Sequence, residues 1–150
     1  MATFDSNDFV EGKFSPHGRL TVWPDDNILR FDVTGPMNLE AISALGRMRT
    51  KLYKEFSPSD RSFCVLAVFH VSMLMPQEAL DLFQSDLRAT YISRLARPRA
   101  VAWVAGHDVE GASVMFRFVK RLHNEIETEC ELFAEQNSAE AWLNEKMKAV

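Results

Sequence analysis

The chain is 150 residues long, 47% hydrophobic and 25% charged, with a formal net charge of −4. That length buries one core without disulfide or metal staples, and the composition is that of an ordinary globular domain. The acidic balance argues against nucleic acid, whose phosphates call for clustered positive charge.

Residues 1–17 are polar and mixed and read as an N-terminal arm, loosely ordered or folded along an edge, ahead of one domain over residues 18–150. Met1 to Asp8 has neither a basic leader nor an apolar stretch, and no apolar run reaches the ~20 residues of a membrane span. The expectation is a soluble cytoplasmic protein. Ser15-Pro16-His17-Gly18 is a turn. Arg19 to Trp23 and Ile28 to Thr34 read as strands around the hairpin loop Pro24-Asp25-Asp26-Asn27, and Gly35-Pro36 stops the second. Asn38 is an N-cap for a helix from Leu39 to Phe56, where Leu39, Ile42, Leu45, Gly46, Tyr53 and Phe56 recur at helical spacing.

Ser62 to Phe69 is a short, almost wholly apolar run behind a charged turn at Ser59-Asp60-Arg61. A strand reads this way when both its faces are covered, as in a parallel sheet between helices. Val71 to Met75 is a loop, and Pro76 opens a helix running to about Leu95, where Arg97-Pro98-Arg99 breaks it. Ala100 to Ala105 is a fourth strand. Gly111 to about Glu127 is a helix with Met115, Phe118, Val119, Leu122 and Ile126 on one stripe; Phe116 projects away from it and marks either an exposed contact surface or a broad buried face. Glu129 to Phe133 is a fifth, edge strand. Asn137, with Glu140 three residues on, resembles a capping box for the last helix, which Ala141, Trp142 and Met147 make apolar on one side.

The order β-β-α-β-α-β-α-β-α predicts an α/β fold: a single domain with a mainly parallel, mixed sheet of about five strands flanked by four helices. With the elements placed, the chain resembles the SpoIIAA-like group of small bacterial proteins, related in fold to STAS domains (anti-sigma factor antagonists). The likeness rests on Gly18 before a strand, Asn27-Ile28-Leu29, Gly35-Pro36-Met37-Asn38-Leu39-Glu40, and Leu132-Phe133-Ala134-Glu135 followed by Ala139-Glu140-Ala141-Trp142-Leu143. It implies a superhelix of βα turns and transfers no common activity. In STAS antagonists a serine in an Asp-Ser-Ser-Gly-like setting is the phosphorylated switch. Here the corresponding segment, Phe69 to Pro76, keeps Ser72 and lacks the aspartate and glycine.

Open α/β sheets bind ligands beyond the carboxyl ends of their strands. That rim carries residues 35–40, 70–75 and 106–110. Met73, Leu74 and Met75 are large and flexible for a rim loop, which is normally polar. Three readings stand: core folded under, the lining of an apolar pocket, or a protein interface. Asn38, Ser72 and His107 would orient a ligand there. His70, His107, Ser72 and Asp108 could form a base–nucleophile set, but no nucleophile-elbow glycines surround Ser72. A metal would need Glu40, Asp108 or Glu110 as third ligand, and no metal or cofactor is expected. Arg49 lies inside the first helix's apolar stripe, about 16 Å from its start at 1.5 Å per residue, and reads as structural and remote from His70. Cys64 and Cys130 show no CxxC or Cys/His metal spacing and read as reduced, buried thiols.

Charge is uneven. Seven basic residues between Arg88 and Arg121 stand against Asp108 and Glu110, and seven glutamates between Glu125 and Lys146 stand against one lysine. These read as solvated helix faces or as complementary patches that would register a homodimer or attract a charged partner. No GxGxxG or Walker loop is present. The sequence therefore points to a non-catalytic module, binding a partner protein or an apolar small molecule through Asn38, His70, Ser72, Met73, Leu74, Met75 and His107. A phosphorylation switch at Ser72, and a small hydrolase or isomerase using His70 or His107, are the alternatives.

Overall fold

The computed structural model of the chain describes residues 3–11, 17–92 and 96–149, the side chains of residues 91 and 92 excepted. The turn expected at Ser15-Pro16 and the last residues of the helix expected to reach Leu95 lie outside the described residues. Within them the elements are β1 (Phe4–Asp5), a 3₁₀ turn (Ser6–Phe9), β2 (Arg19–Asp25), β3 (Ile28–Thr34), α1 (Leu39–Phe56), β4 (Cys64–His70), α2 (Gln77–Ile92), β5 (Ala100–Ala105), α3 (Ala112–Glu125), β6 (Glu129–Phe133) and α4 (Gln136–Lys148).

The strands form one sheet in the order β1-β2-β3-β4-β5-β6. β1 and β2 pair antiparallel, as do β2 and β3 around the Asp26-Asn27 turn. β3 to β6 are parallel. The sheet has one strand more than the sequence reading counted. Phe4 and Asp5 pair with Val22 and Thr21, so this part of the N-terminal arm folds along the edge. Ser6 Oγ accepts from Leu20 N, and the Asp5 carboxylate pairs with Arg19.

Each crossover advances one strand in the same direction, so its fixed hand stacks α1, α2 and α3 on one face. They share one core cluster with Val65, Ala67 and Phe69 of β4. The alternate residues, Cys64 and Leu66, pack with Ala100, Ala102 and Val104 of β5 against Ala139 and Leu143 of α4. β4 is therefore sandwiched, and the expected period-two division of its side chains holds. The α4 helix covers β4 to β6, and Arg30 ties it to β3 through Glu140 Oε1 at 2.8 Å. On the opposite face α2 makes its close backbone approaches to α1 and α3 rather than to the strands.

Local signals explain most boundaries. Asn38 Oδ1 accepts from Ala41 N at 3.0 Å, capping α1, and Ser57 ends it in the left-handed region (φ 46°). Pro76 stands just ahead of α2, its carbonyl accepting from Ala79 and Leu80. For α4 the expected cap is corrected: Glu135 is the N-cap, and Asn137 lies inside the first turn. Much of the charge asymmetry is internal pairing, since Arg88 binds Glu125, Lys120 binds Glu131 and Lys146 binds Glu129. Phe116 is buried.

Candidate functional site

The parallel register brings the three expected loops together at the carboxyl ends of β3, β4 and β5. Gly35 N donates to His70 O at 3.2 Å and Met37 N to Leu74 O at 3.3 Å. Met73 N donates to Glu110 O at 2.8 Å, and Glu110 N to Val71 O at 3.0 Å, an isolated parallel bridge between the second and third loops. Val71 takes a left-handed conformation (φ 70°) at this joint, which is unusual for a β-branched residue, and is 62% exposed. Leu74 and Val114 are also exposed along this rim, and Leu74 lies over Gly111.

Two of the polar rim residues, Asn38 and Ser72, hold hydrogen bonds within the fold. Asn38 caps α1. Ser72 is 2% exposed; its hydroxyl donates to Glu110 Oε1 at 3.0 Å and accepts from Leu74 N at 3.1 Å. A phosphoryl group on Ser72 Oγ would replace the hydrogen that Ser72 donates to Glu110 and set a second negative charge beside that carboxylate. His107 is exposed. His70 lies on the α4 face of the sheet, turned away from the cavity described below, with Nε2 2.8 Å from Asp32 Oδ1. Ser72 N donates to His70 O at 2.8 Å, but among the described residues no side-chain hydrogen bond joins His70, Ser72 and His107 into a base–nucleophile set. The Met73–Met75 segment divides three ways: Met73 is core, Leu74 is at the surface, and Met75 is half-buried against the core.

Met75 leads to the feature that sequence reasoning missed. A cavity of about 100 Å³ lies between the sheet and the helices of its first face. Leu29, Phe31, Val65, Ala67, Phe69, Val101 and Trp103 floor it; Ile42, Leu45, Tyr53, Phe83 and Leu87 roof it; Met37 and Met75 close its end under the rim. Phe83 and Leu87 of α2, which share the core cluster with the strand residues, reach it from the helix layer. Its size approaches that of an apolar cavity of ~150 Å³, which stays dry and admits benzene.

Two polar side chains also line it, Arg49 and His123. Arg49 is 9% exposed, with its guanidinium carbon 6.0 Å from the centre of the Phe83 ring. Its distance from the rim does not remove it from the site, because the cavity runs along the helices and reaches Met75 and Arg49 alike. His123 is 3% exposed, and its Nδ1 lies 2.8 Å from Val119 O. Burial holds the imidazole below its usual range, and the positive charge of Arg49 adds to this against the opposing Val119 hydrogen bond. The ring is therefore neutral at pH 7, with its proton on Nδ1 facing the Val119 carbonyl. The available signal was its place four residues after Val119, within the apolar stripe of α3.

This burial has a measurable consequence. Unfolded, His123 titrates near 6.5; folded, it holds its proton only at lower pH. Stability should be intact above about pH 6.5 and fall as the pH drops towards the folded value, by at most about 1.4 kcal/mol per pH unit. Asp5, Asp60, Glu125 and Glu140 are held below the carboxylate range by hydrogen bonds from Arg19, Arg97, Arg88 and Arg30 and act only in more acid solution. Denaturant midpoints at about pH 7.5 and 5.5 should therefore differ for the wild type and converge for His123→Leu. Equal pH dependence in the two proteins would contradict a buried neutral ring. Burial also pushes the thiols of Cys64 and Cys130 up, so neither supplies a thiolate near neutral pH.

Among the described residues no group of three or more His, Cys, Asp or Glu is placed to hold a metal, and no helix is long and apolar enough to cross a membrane. No protein-family model matches the chain, and no curated protein matches it. Among solved structures it is similar to an uncharacterized DUF3478-family protein with a SpoIIAA-like fold from Shewanella loihica PV-4. The two are 14% identical, the alignment covers 89% of this chain and 98% of that one, and the TM-score is 0.53. At that identity the likeness is one of architecture: this chain has a SpoIIAA-like fold.

Proposed function

We propose that this protein is a non-catalytic binding module that takes an apolar small molecule between its sheet and the α1–α2 layer. The observation that carries the reading is the cavity of about 100 Å³, walled by aliphatic and aromatic side chains of three parallel strands and reaching the rim at Met37 and Met75. Water gains little in such a space, because it needs two to four polar partners. An apolar guest gains the transfer free energy of its surface and the dispersion contacts that the walls lack when empty. The two methionines have unbranched, adaptable side chains suited to closing over guests of different outline.

Ala67 provides the test, since its small side chain forms part of the cavity floor. Toluene should bind the wild type saturably and raise its melting temperature, by mass action on the folded state. Ala67→Ile puts three further carbons into the space. It should abolish that binding while leaving the protein folded and at least as stable, as filling a void does. The absence of saturable toluene binding by the wild type, or full binding by Ala67→Ile, would reject the cavity as a binding site.

A further inference from the structure

We infer that the guest of this cavity has a compact apolar body and one carboxylate, an aromatic or short aliphatic acid whose charge is met by the guanidinium of Arg49. The inference rests on the cavity reading above and deepens it. Arg49 is 9% exposed and lines two spaces: the cavity, and an open groove between α1 and α2 bordered by Ser43, Gly46, Thr50, Asp86 and Ala89. It stands where the apolar chamber and the polar groove meet. Among the described residues that wall the cavity, Arg49 carries the one full charge and none is a carboxylate; Asp86 borders the groove and not the cavity.

The charge selects the guest. A guanidinium stays protonated near neutral pH, so folding carries its charge into surroundings where it is screened far less than at a surface. The contact with the Phe83 ring, 6.0 Å from the guanidinium carbon, attracts that charge without cancelling it. Its field reaches the other basic side chain of the lining, since Arg49 is among the causes that hold the His123 ring below its ordinary range. A hydrocarbon gains nothing from this field, and an ammonium is repelled. A carboxylate is attracted but must shed its hydration. In most buried pairs that loss offsets the attraction, because both ions are desolvated together. Here folding has already desolvated the cation, and the guest bears only its own share. Arg49 keeps its contacts within the fold, because the attraction is to the charge of the whole planar group. A second carboxylate would lie against apolar walls, which limits the guest to one. Phe31, Phe69, Phe83 and Trp103 receive the apolar body.

Benzoate, benzamide and benzylamine share a ring and nearly one outline and differ in charge. By calorimetry near pH 7.5, benzoate should bind the wild type about tenfold or more tighter than benzamide, with benzylamine weakest. Benzoate should displace toluene, and Ala67→Ile should abolish the binding of both. Arg49→Met keeps an apolar stem and removes the charge; it should bring benzoate down to the level of benzamide and leave toluene within about twofold. Arg49→Lys should retain part of the preference, as the charge remains without the planar fork. The comparison of probes on the wild type needs no variant to fold. If benzamide matches benzoate there, if benzoate does not displace toluene, or if Arg49→Met keeps the full preference, the carboxylate assignment is overturned, while saturable toluene binding upholds the cavity reading. If neither toluene nor benzoate binds, both fail together.

Discussion

Phe63→Ala is expected to cost about 3–5 kcal/mol, the range for truncating a fully buried phenylalanine. Phe63 is 1% exposed and immediately precedes β4. Its ring meets Phe56 at 5.8 Å and Tyr53 at 6.2 Å, both edge-on, so it anchors the last turn of α1 against the sheet. Its backbone is fixed as well, because Phe63 O accepts from Arg99 N at 2.8 Å; the neighbouring chain cannot collapse easily into the hole. Against a typical total of 5–15 kcal/mol this loss leaves a marginal protein. In urea the midpoint should fall sharply with little change of slope. Because Tyr53 also lines the cavity, toluene affinity should drop more than it does in a core variant on the α4 face, such as Leu143→Ala. A loss below about 1 kcal/mol would mean that the end of α1 is not held by this aromatic cluster.

The sequence made the scaffold legible because its signals are local. Asn38 and the Gly35-Pro36 stop placed α1 to the residue, and the apolar run ending at Phe69 identified a sandwiched strand before any partner was known. The two-residue β1 was not legible as a strand. Two residues show no periodicity, and their pairing is supplied by β2. Topology locates the rim, but not the hydrogen bonds its polar side chains make. A serine or asparagine in a loop announces a donor and an acceptor without saying who takes them; here Ala41 N, Leu74 N and Glu110 do. The cavity was invisible for another reason. Its walls are the residues that periodicity marks as core, and a void between layers depends on how far a helix stands off a sheet, which no spacing encodes. What the sequence did hold were its exceptions: an arginine and a histidine set into apolar stripes. Arg49 sits about 16 Å along α1, far from the rim in sequence terms, yet it lines the same cavity as Met75.

The rim's integrity depends on a glycine. Gly35→Ala is expected to destabilise the protein by about 3 kcal/mol, at the upper end for overpacking. A Cβ built at Gly35 falls 2.0 Å from the carbonyl oxygen of Ser72 and 3.1 Å from its carbonyl carbon. Both are backbone atoms, so no rotamer change relieves the contact. The reduced freedom of the unfolded chain offsets it by only about 0.4–1 kcal/mol. The loops would have to part, and with them the hydrogen bonds from Gly35 N to His70 O and from Met37 N to Leu74 O. Met37 and Met75 close the cavity beneath these loops, so probe binding should weaken together with stability. Gly46→Ala is the matched comparison. Its Cβ would meet only the Asp86 carboxylate, at 2.8 Å, a flexible side chain that can turn aside. In mid-helix, alanine is favoured over glycine by about 0.5–1 kcal/mol, so this variant should be neutral or slightly stabilised. Melting temperatures of the two variants, with and without toluene, separate a crowded rim from a general intolerance of added methyl groups. If Gly35→Ala melts with the wild type and binds toluene normally, the loops are not held at the separation described here, and the closed end of the cavity is open.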